Sequence, residues 1–200
     1  HIRTMRRAPH GVPSMSNLDA RVAELAAEYR SLGAEILAEA IRIPADHVAE
    51  DPSCGLSNHE GPRLEYMKRR ILEIGSVRNP ADVGFDDFGN LVWSVWDPND
   101  GIPMADKKVI YLDGHTDTVK ALRGQWIEKI GGGIDSYDGL TDEAKVDRGF
   151  LRRELGHLPT DAEFDNLLFG RGAADQLGGV IAEIIATKVL LETTDLGSLT

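Results

Sequence analysis

Two short stretches hold side chains able to do chemistry together. The first is Val109–Val119, "VIYLDGHTDTV", an apolar run that ends on His115, Thr116 and Asp117. In extended backbone successive side chains alternate between faces, so His115 and Asp117 point to one side. A metal-bound imidazole commonly gives its other ring N–H to a carboxylate, which fixes tautomer and ring orientation. His-x-Asp at the end of a buried strand supplies both groups. Taken alone, the spacing more often describes a core or loop histidine satisfied by a neighbouring aspartate. The second stretch is Gly170–Gly179, "GRGAADQLGG", where Asp175 stands between glycine pairs. Glycines let backbone and ligand approach closely. The pattern is Gly-x-Gly-x-x-Asp, and a carboxylate would repel the pyrophosphate that Gly-x-Gly-x-x-Gly cradles. No Lys-Ser/Thr pair follows, which excludes a Walker loop. A cation is the better guest for Asp175, and an acidic helix N-cap is the ordinary alternative.

The elements that must position these residues follow from periodicity. Leu18, Val22, Leu25, Tyr29, Leu32 and Ile36 recur every three or four residues. They predict one long helix, capped by Ser16 or Asn17 and stopped at Pro44. After a turn-rich stretch, Pro62 starts a second helix with Leu64, Met67, Ile71 and Ile74 on its apolar stripe and Gly75 as its C-cap. Asn90–Trp96, Lys107–His115 and Asn166–Gly172 read as strands, the middle one buried on both faces. From Gly178 the spacing is helical again. Both motifs then lie at the C-terminal ends of strands, where open α/β sheets place their sites. The connection between them, through residues 120–165, is long. Leu140, Val146, Phe150, Leu151 and Leu155 predict a helix of its own near Asp142–Leu155, with Thr141 as a possible cap. The order of elements implies an α/β sandwich with a mixed or parallel sheet.

Bulk composition narrows the classes. The 200 residues carry 42% apolar side chains and a net charge of −11. That balance disfavours nucleic-acid backbones and anionic membrane surfaces as partners. Cys54 is the single cysteine. It excludes an intramolecular disulfide and suits a reducing compartment, so the expected location is cytoplasmic. No apolar run reaches the length of a membrane span. Residues 1–15 are basic and aperiodic. They read as a leader or tag, a transit peptide being the less favoured alternative, and stand outside the fold argument.

Together, "YLDGHTDTV" and "LFGRGAADQLGG", with "DDFGNLVW" before them, resemble the paired signatures of one metallohydrolase family. That family comprises acetylornithine deacetylase, succinyl-diaminopimelate desuccinylase, aminoacylase and glutamate carboxypeptidase, and the likeness spans roughly 17–192. It implies a three-layer α/β/α sandwich with a mixed sheet, like the catalytic domain of zinc exopeptidases. It also implies two divalent metal ions, zinc by default, with manganese or cobalt as alternatives. Carried over residue by residue, His115 would ligate one metal and Asp175 would bridge both. Asp117, the candidate catalytic residue, would stand behind His115 and orient it. The implied activity is hydrolysis of a C–N bond, the amide of an N-acyl amino acid or small peptide, by a metal-activated hydroxide. Hydrolytic deamination of an activated aromatic amine, as in nitroanthranilate aminohydrolase, is the alternative within this class. A non-catalytic binding or assembly module of the same fold is the alternative outside it.

The chain also departs from the family pattern. Gln176 and Leu177 follow the bridging aspartate, and the segment about 120–165 is an insertion relative to the usual length. The family's Glu-Glu pair, later ligands and lid domain find no counterpart before Thr200. The expectation is therefore residues 16–200 as the N-terminal part of a catalytic domain with at most two direct ligands. A homodimer would form through the absent lid. Glu183 reads as a solvated helix position, and His47 and His59 as surface histidines. His157 is a possible substrate contact, and Cys54 has no setting for a nucleophile. Trp93, Trp96 and Trp126 read as packing residues. Arg171 suits either a substrate carboxylate or an ion pair with Asp117 or Asp175.

Overall fold

The computed structural model describes residues 17–47, 59–131, 133–140, 145–156 and 159–193. They form a helix-rich mixed structure with one small antiparallel sheet. Among them no helix is long and apolar enough to cross a membrane.

The expected long N-terminal helix is two helices, α1 (Asn17–Glu28) and α2 (Arg30–Arg42). They meet at Tyr29, whose backbone leaves helical geometry at φ −86°, ψ 3°. The apolar stripe runs through the break, so periodicity alone could not show it. Tyr29 fastens the bend to the far end of the chain. Its hydroxyl donates to Glu192 at 2.6 Å and the Lys188 ammonium lies 4.6 Å from its ring centre. The helix α3 (Gly61–Ile74) matches its signals, with Pro62 in the first turn and Gly75 in left-handed conformation at the C-cap. The helix α7 (Gly178–Glu192) begins at the glycine pair, as its spacing indicates.

One core lies among α2, α3 and α7. Ile36, Ala40 and Ile41 meet Tyr66, Met67 and Ile71, and Val180, Ile181 and Ile184 close it. The strands β1 (Val83–Phe85) and β2 (Leu91–Trp93) pair antiparallel across the Asp86–Asn90 turn and lay Val83 and Trp93 on this core. A second, smaller core gathers Ile134, Val146, Leu151 and Phe164. It belongs to the long connection, which holds α4 (Arg123–Ile130), α5 (Arg148–Leu155) and α6 (Asp161–Phe164). A helix in this connection was expected. It starts later than its apolar spacing suggests, because Asp147 accepts the Phe150 N–H and caps it there. Thr141, the cap suggested by sequence, lies outside the described residues, as do Cys54 and His157.

Two expected strands are not formed as such. Asn166–Gly172 contributes a single antiparallel bridge, Phe169 to Leu140. Lys107–His115 forms no strand, and nothing among the described residues pairs with Val109–Leu112. Val109, Ile110, Tyr111 and Leu112 are 79%, 88%, 79% and 61% exposed. An apolar run is buried as a strand only when neighbouring strands and covering helices exist, and parallel neighbours come from far along a chain. Periodicity reports the demand for burial and does not supply the partners.

Candidate metal centre

The segment 115–119 is anchored by alternate residues. Thr116 and Thr118 turn inward and are buried, and His115 and Asp117 turn outward. Thr118 makes a parallel bridge to Asp46. Its N–H donates to the Ala45 carbonyl at 2.9 Å, and its carbonyl accepts the His47 N–H at 2.6 Å. Its hydroxyl donates to Asp46 at 3.0 Å. The Asp46 carboxylate also accepts the Ala121 N–H at 3.0 Å and the Tyr137 hydroxyl. Burial alone would raise the Asp46 pKa. The hydrogen bonds from Tyr137, Ala121 and Thr118 outweigh it and hold the carboxyl below its ordinary value. In return Tyr137 is pushed up to about 12, by burial and by this hydrogen bond.

Asp175 arrives from the opposite direction. Its loop turns at Gly172, which adopts φ +73° and whose missing side chain leaves room for Thr118, 2.8 Å from where a Cβ would stand. Only glycine meets both conditions. The next residue after Asp175 matters as much. Gln176 Oε1 accepts the His115 backbone N–H at 2.9 Å and so joins the two motifs directly.

The result brings together residues 60 apart in sequence. His115 Nε2 lies 3.0 Å from Asp175 Oδ1. On the other side of the ring, His115 Nδ1 lies 3.1 Å from Asp117 Oδ1. Burial by itself would lower the His115 pKa. The Asp175 carboxylate, then Asp117, outweigh it and hold the imidazole above its ordinary value. Two donors each ~2.0–2.1 Å from one zinc ion, at angles between octahedral and tetrahedral, stand roughly 2.9–3.4 Å apart. The His115–Asp175 separation falls in that range, so a cation can take the place of the shared proton. Both side chains remain accessible, at 51% and 89% exposure. The Nδ1 hydrogen bond itself runs to the Asp117 backbone carbonyl at 3.3 Å, and the carboxylate stands beside it as a charge partner. His115 and Asp175 are thus two side chains close enough to share one cation, with Asp117 beside the ring. Among the described residues no group of three or more His, Cys, Asp or Glu side chains is arranged to hold a metal ion.

Other candidates settle differently. His47 Nδ1 lies 4.0 Å from Asp117 Oδ2, too far for a hydrogen bond. Arg171 donates to the Val119 carbonyl and faces Asp46, in place of an ion pair with Asp117 or Asp175. Glu183 is only partly open to solvent. It is half-buried, and burial, then the Asp113 carboxylate, holds its carboxyl above the usual range. Trp93 packs on the core and donates to Thr187 at 3.3 Å. Sequence reasoning missed Asp46, Tyr137 and the anchoring threonines, because their partners are set by the fold and not by spacing. Gln176 was visible only as a departure from pattern. No protein-family model, curated protein or solved structure matches the chain.

Proposed function

We propose that this chain carries part of the divalent-cation centre of a cytoplasmic hydrolase acting on a C–N bond. The favoured substrate is a small molecule with an amide, such as an N-acyl amino acid or short peptide. One observation carries the reading: His115 Nε2 and Asp175 Oδ1 converge to 3.0 Å with Asp117 behind the ring. In this reading His115 and Asp175 are ligands, Asp175 shared between two ions, and zinc is the default metal. A bound divalent ion supplies Lewis acidity to the scissile carbonyl and the attacking water. The Asp117 backbone carbonyl, 3.3 Å from Nδ1, keeps that proton in place with the carboxylate charge beside it, so that Nε2 is the free donor. Gln176 holds the His115 backbone against the Asp175 turn. The reading also takes Lys107–His115 as an inner strand of a three-layer α/β/α sandwich with a mixed sheet, and 120–165 as an insertion.

Calorimetric titration with Zn²⁺ after chelator treatment tests the centre. His115→Ala and Asp175→Asn are expected to abolish the binding seen in the parent. Asp117→Asn removes the charge beside Nδ1 but keeps the backbone bond, and should weaken it by less than the about 10–100-fold of losing an orienting partner outright. Hydrolysis of N-acetyl amino acids, assayed with Zn²⁺ and with chelator, tests the activity. Zn²⁺ binding that ignores both ligand substitutions would sink the proposal.

A further inference from the structure

Arg63 is fully buried, which is rare for a guanidinium and costly unless its donors are met. Here they are met by main-chain carbonyls. Nε donates to Ala40 at 3.1 Å and Ile43 at 2.9 Å, and Nη2 donates to Ile43 at 2.5 Å. These carbonyls belong to the last turn of α2, the negative end of its dipole. Nη1 reaches across to the carbonyl of Thr116. The Thr116 hydroxyl donates to Glu60, the residue at the N-cap of α3. The first turn of α3 thus grips one residue at two atoms, and that residue stands between His115 and Asp117.

A segment held at one atom can still rotate about its own axis. Held at a carbonyl and a side chain together, it cannot, and the residues before and after it are fixed in direction. We infer that Glu60 and Arg63 form a clamp on Thr116 that aims His115 and Asp117 at Asp175. They are positioning residues, since neither touches the pair itself. The functional meaning of the clamp rests on the metal-centre reading above, whereas the aiming does not need a metal.

The test uses the 200-residue chain with ¹⁵N-labelled histidine. Its readouts are the ring N–H signals of His115 without metal and the affinity for Zn²⁺ alone. Arg63→Lys keeps the charge but loses the planar fork. It is expected to shift or broaden the His115 ring signals and to weaken Zn²⁺ binding at least tenfold. Arg70→Ala is the control for general loosening of α3. Arg70 ties α3 to α2 through Glu35, and its ion pairs with Glu35 and Glu73 leave Thr116 alone. It should lower the melting temperature while leaving both readouts as in the parent. Thr116→Val removes the Glu60 bond alone and carries the test if Arg63→Lys does not fold, with Thr116→Ser restoring the parent signals. Unchanged His115 signals in Arg63→Lys and Thr116→Val overturn the clamp. Should the His115 signals respond while the parent chain binds no Zn²⁺, the metal reading falls and the clamp stands.

Discussion

Asp46 shows how much of the centre is held by a residue that does no chemistry. Its carboxylate ties Thr118, Ala121 and Tyr137 together behind the His115–Asp117 face. Because its folded pKa lies below the unfolded one, its stabilisation is complete above the ordinary carboxylate range. It is lost as pH falls through the depressed folded value. Tyr137→Phe removes the first of the bonds that depress it, so acid unfolding should begin at higher pH in that variant. Asp46→Asn should cost roughly 1–2 kcal/mol at neutral pH, the worth of charge-assisted bonds replaced by neutral ones. It should also flatten the acid limb below the ordinary carboxylate range. Urea unfolding followed by circular dichroism between pH 3 and 7 checks both. An acid limb identical to the parent in Asp46→Asn would show that the carboxylate is not linked to folding. His115, Asp117 and Asp175 were legible because their residue types and spacing have a chemical meaning. Asp46 and Arg63 were not, because an acid in a turn and an arginine on an amphipathic helix have many ordinary explanations. Only the fold shows that Asp46 gathers Thr118, Ala121 and Tyr137, and that Arg63 meets backbone carbonyls, one of them that of Thr116.

At the scale of elements, the helices were legible and their joints were not. Period 3.6 marks α2 and α3, while α7 is apolar on nearly every side, and the period runs unbroken through Tyr29, where the backbone turns. The joint between the two motifs rests on close contact of a kind no pattern displays. A Cβ on Gly114 would stand 2.7 Å from Val180 Cγ2 and 3.2 Å from Gln176 Oε1. The segment before His115 therefore lies directly on the first turn of α7. Its backbone φ is not of the kind reserved for glycine, so the obstacle to alanine is space alone. Gly114→Ala is expected to cost about 1–3 kcal/mol by overpacking. It should also weaken the His115 N–H bond to Gln176, read as faster exchange of that amide. Gly124→Ala is the matched control. It sits inside α4 with nothing within 4 Å of the added methyl, and helix propensity favours it. Equal stability in the two variants would mean that the His115 segment is not seated on α7.

At the scale of the whole molecule, the apolar surface is divided unequally between what is covered and what is not. The α2–α3–α7 core and the smaller core of the long connection are closed by their own helices. Among the described residues Val109–Leu112 is the longest uncovered run: four consecutive large apolar residues, mostly exposed, with Lys107 and Lys108 before them and Asp113 after. Sequence reasoning identified this run as a strand wanting cover on both faces. Among the described residues this run forms no strand and has neither neighbour nor cover. Contiguous apolar surface of this kind binds hydrophobic dyes and promotes association through unpaired strand edges. The 200-residue chain should therefore bind anilinonaphthalene sulfonate in its folded state, before any denaturant is added. Ile110→Lys places a charge in the middle of the run without touching either core. It should reduce that fluorescence several-fold and lower the weight-average mass seen by sedimentation, while the melting temperature stays within about 2 °C of the parent, as expected for a surface change below about 0.5 kcal/mol. A large drop in melting temperature would show instead that Ile110 is buried in solution. The unpaired run would then have found its covering within the same chain.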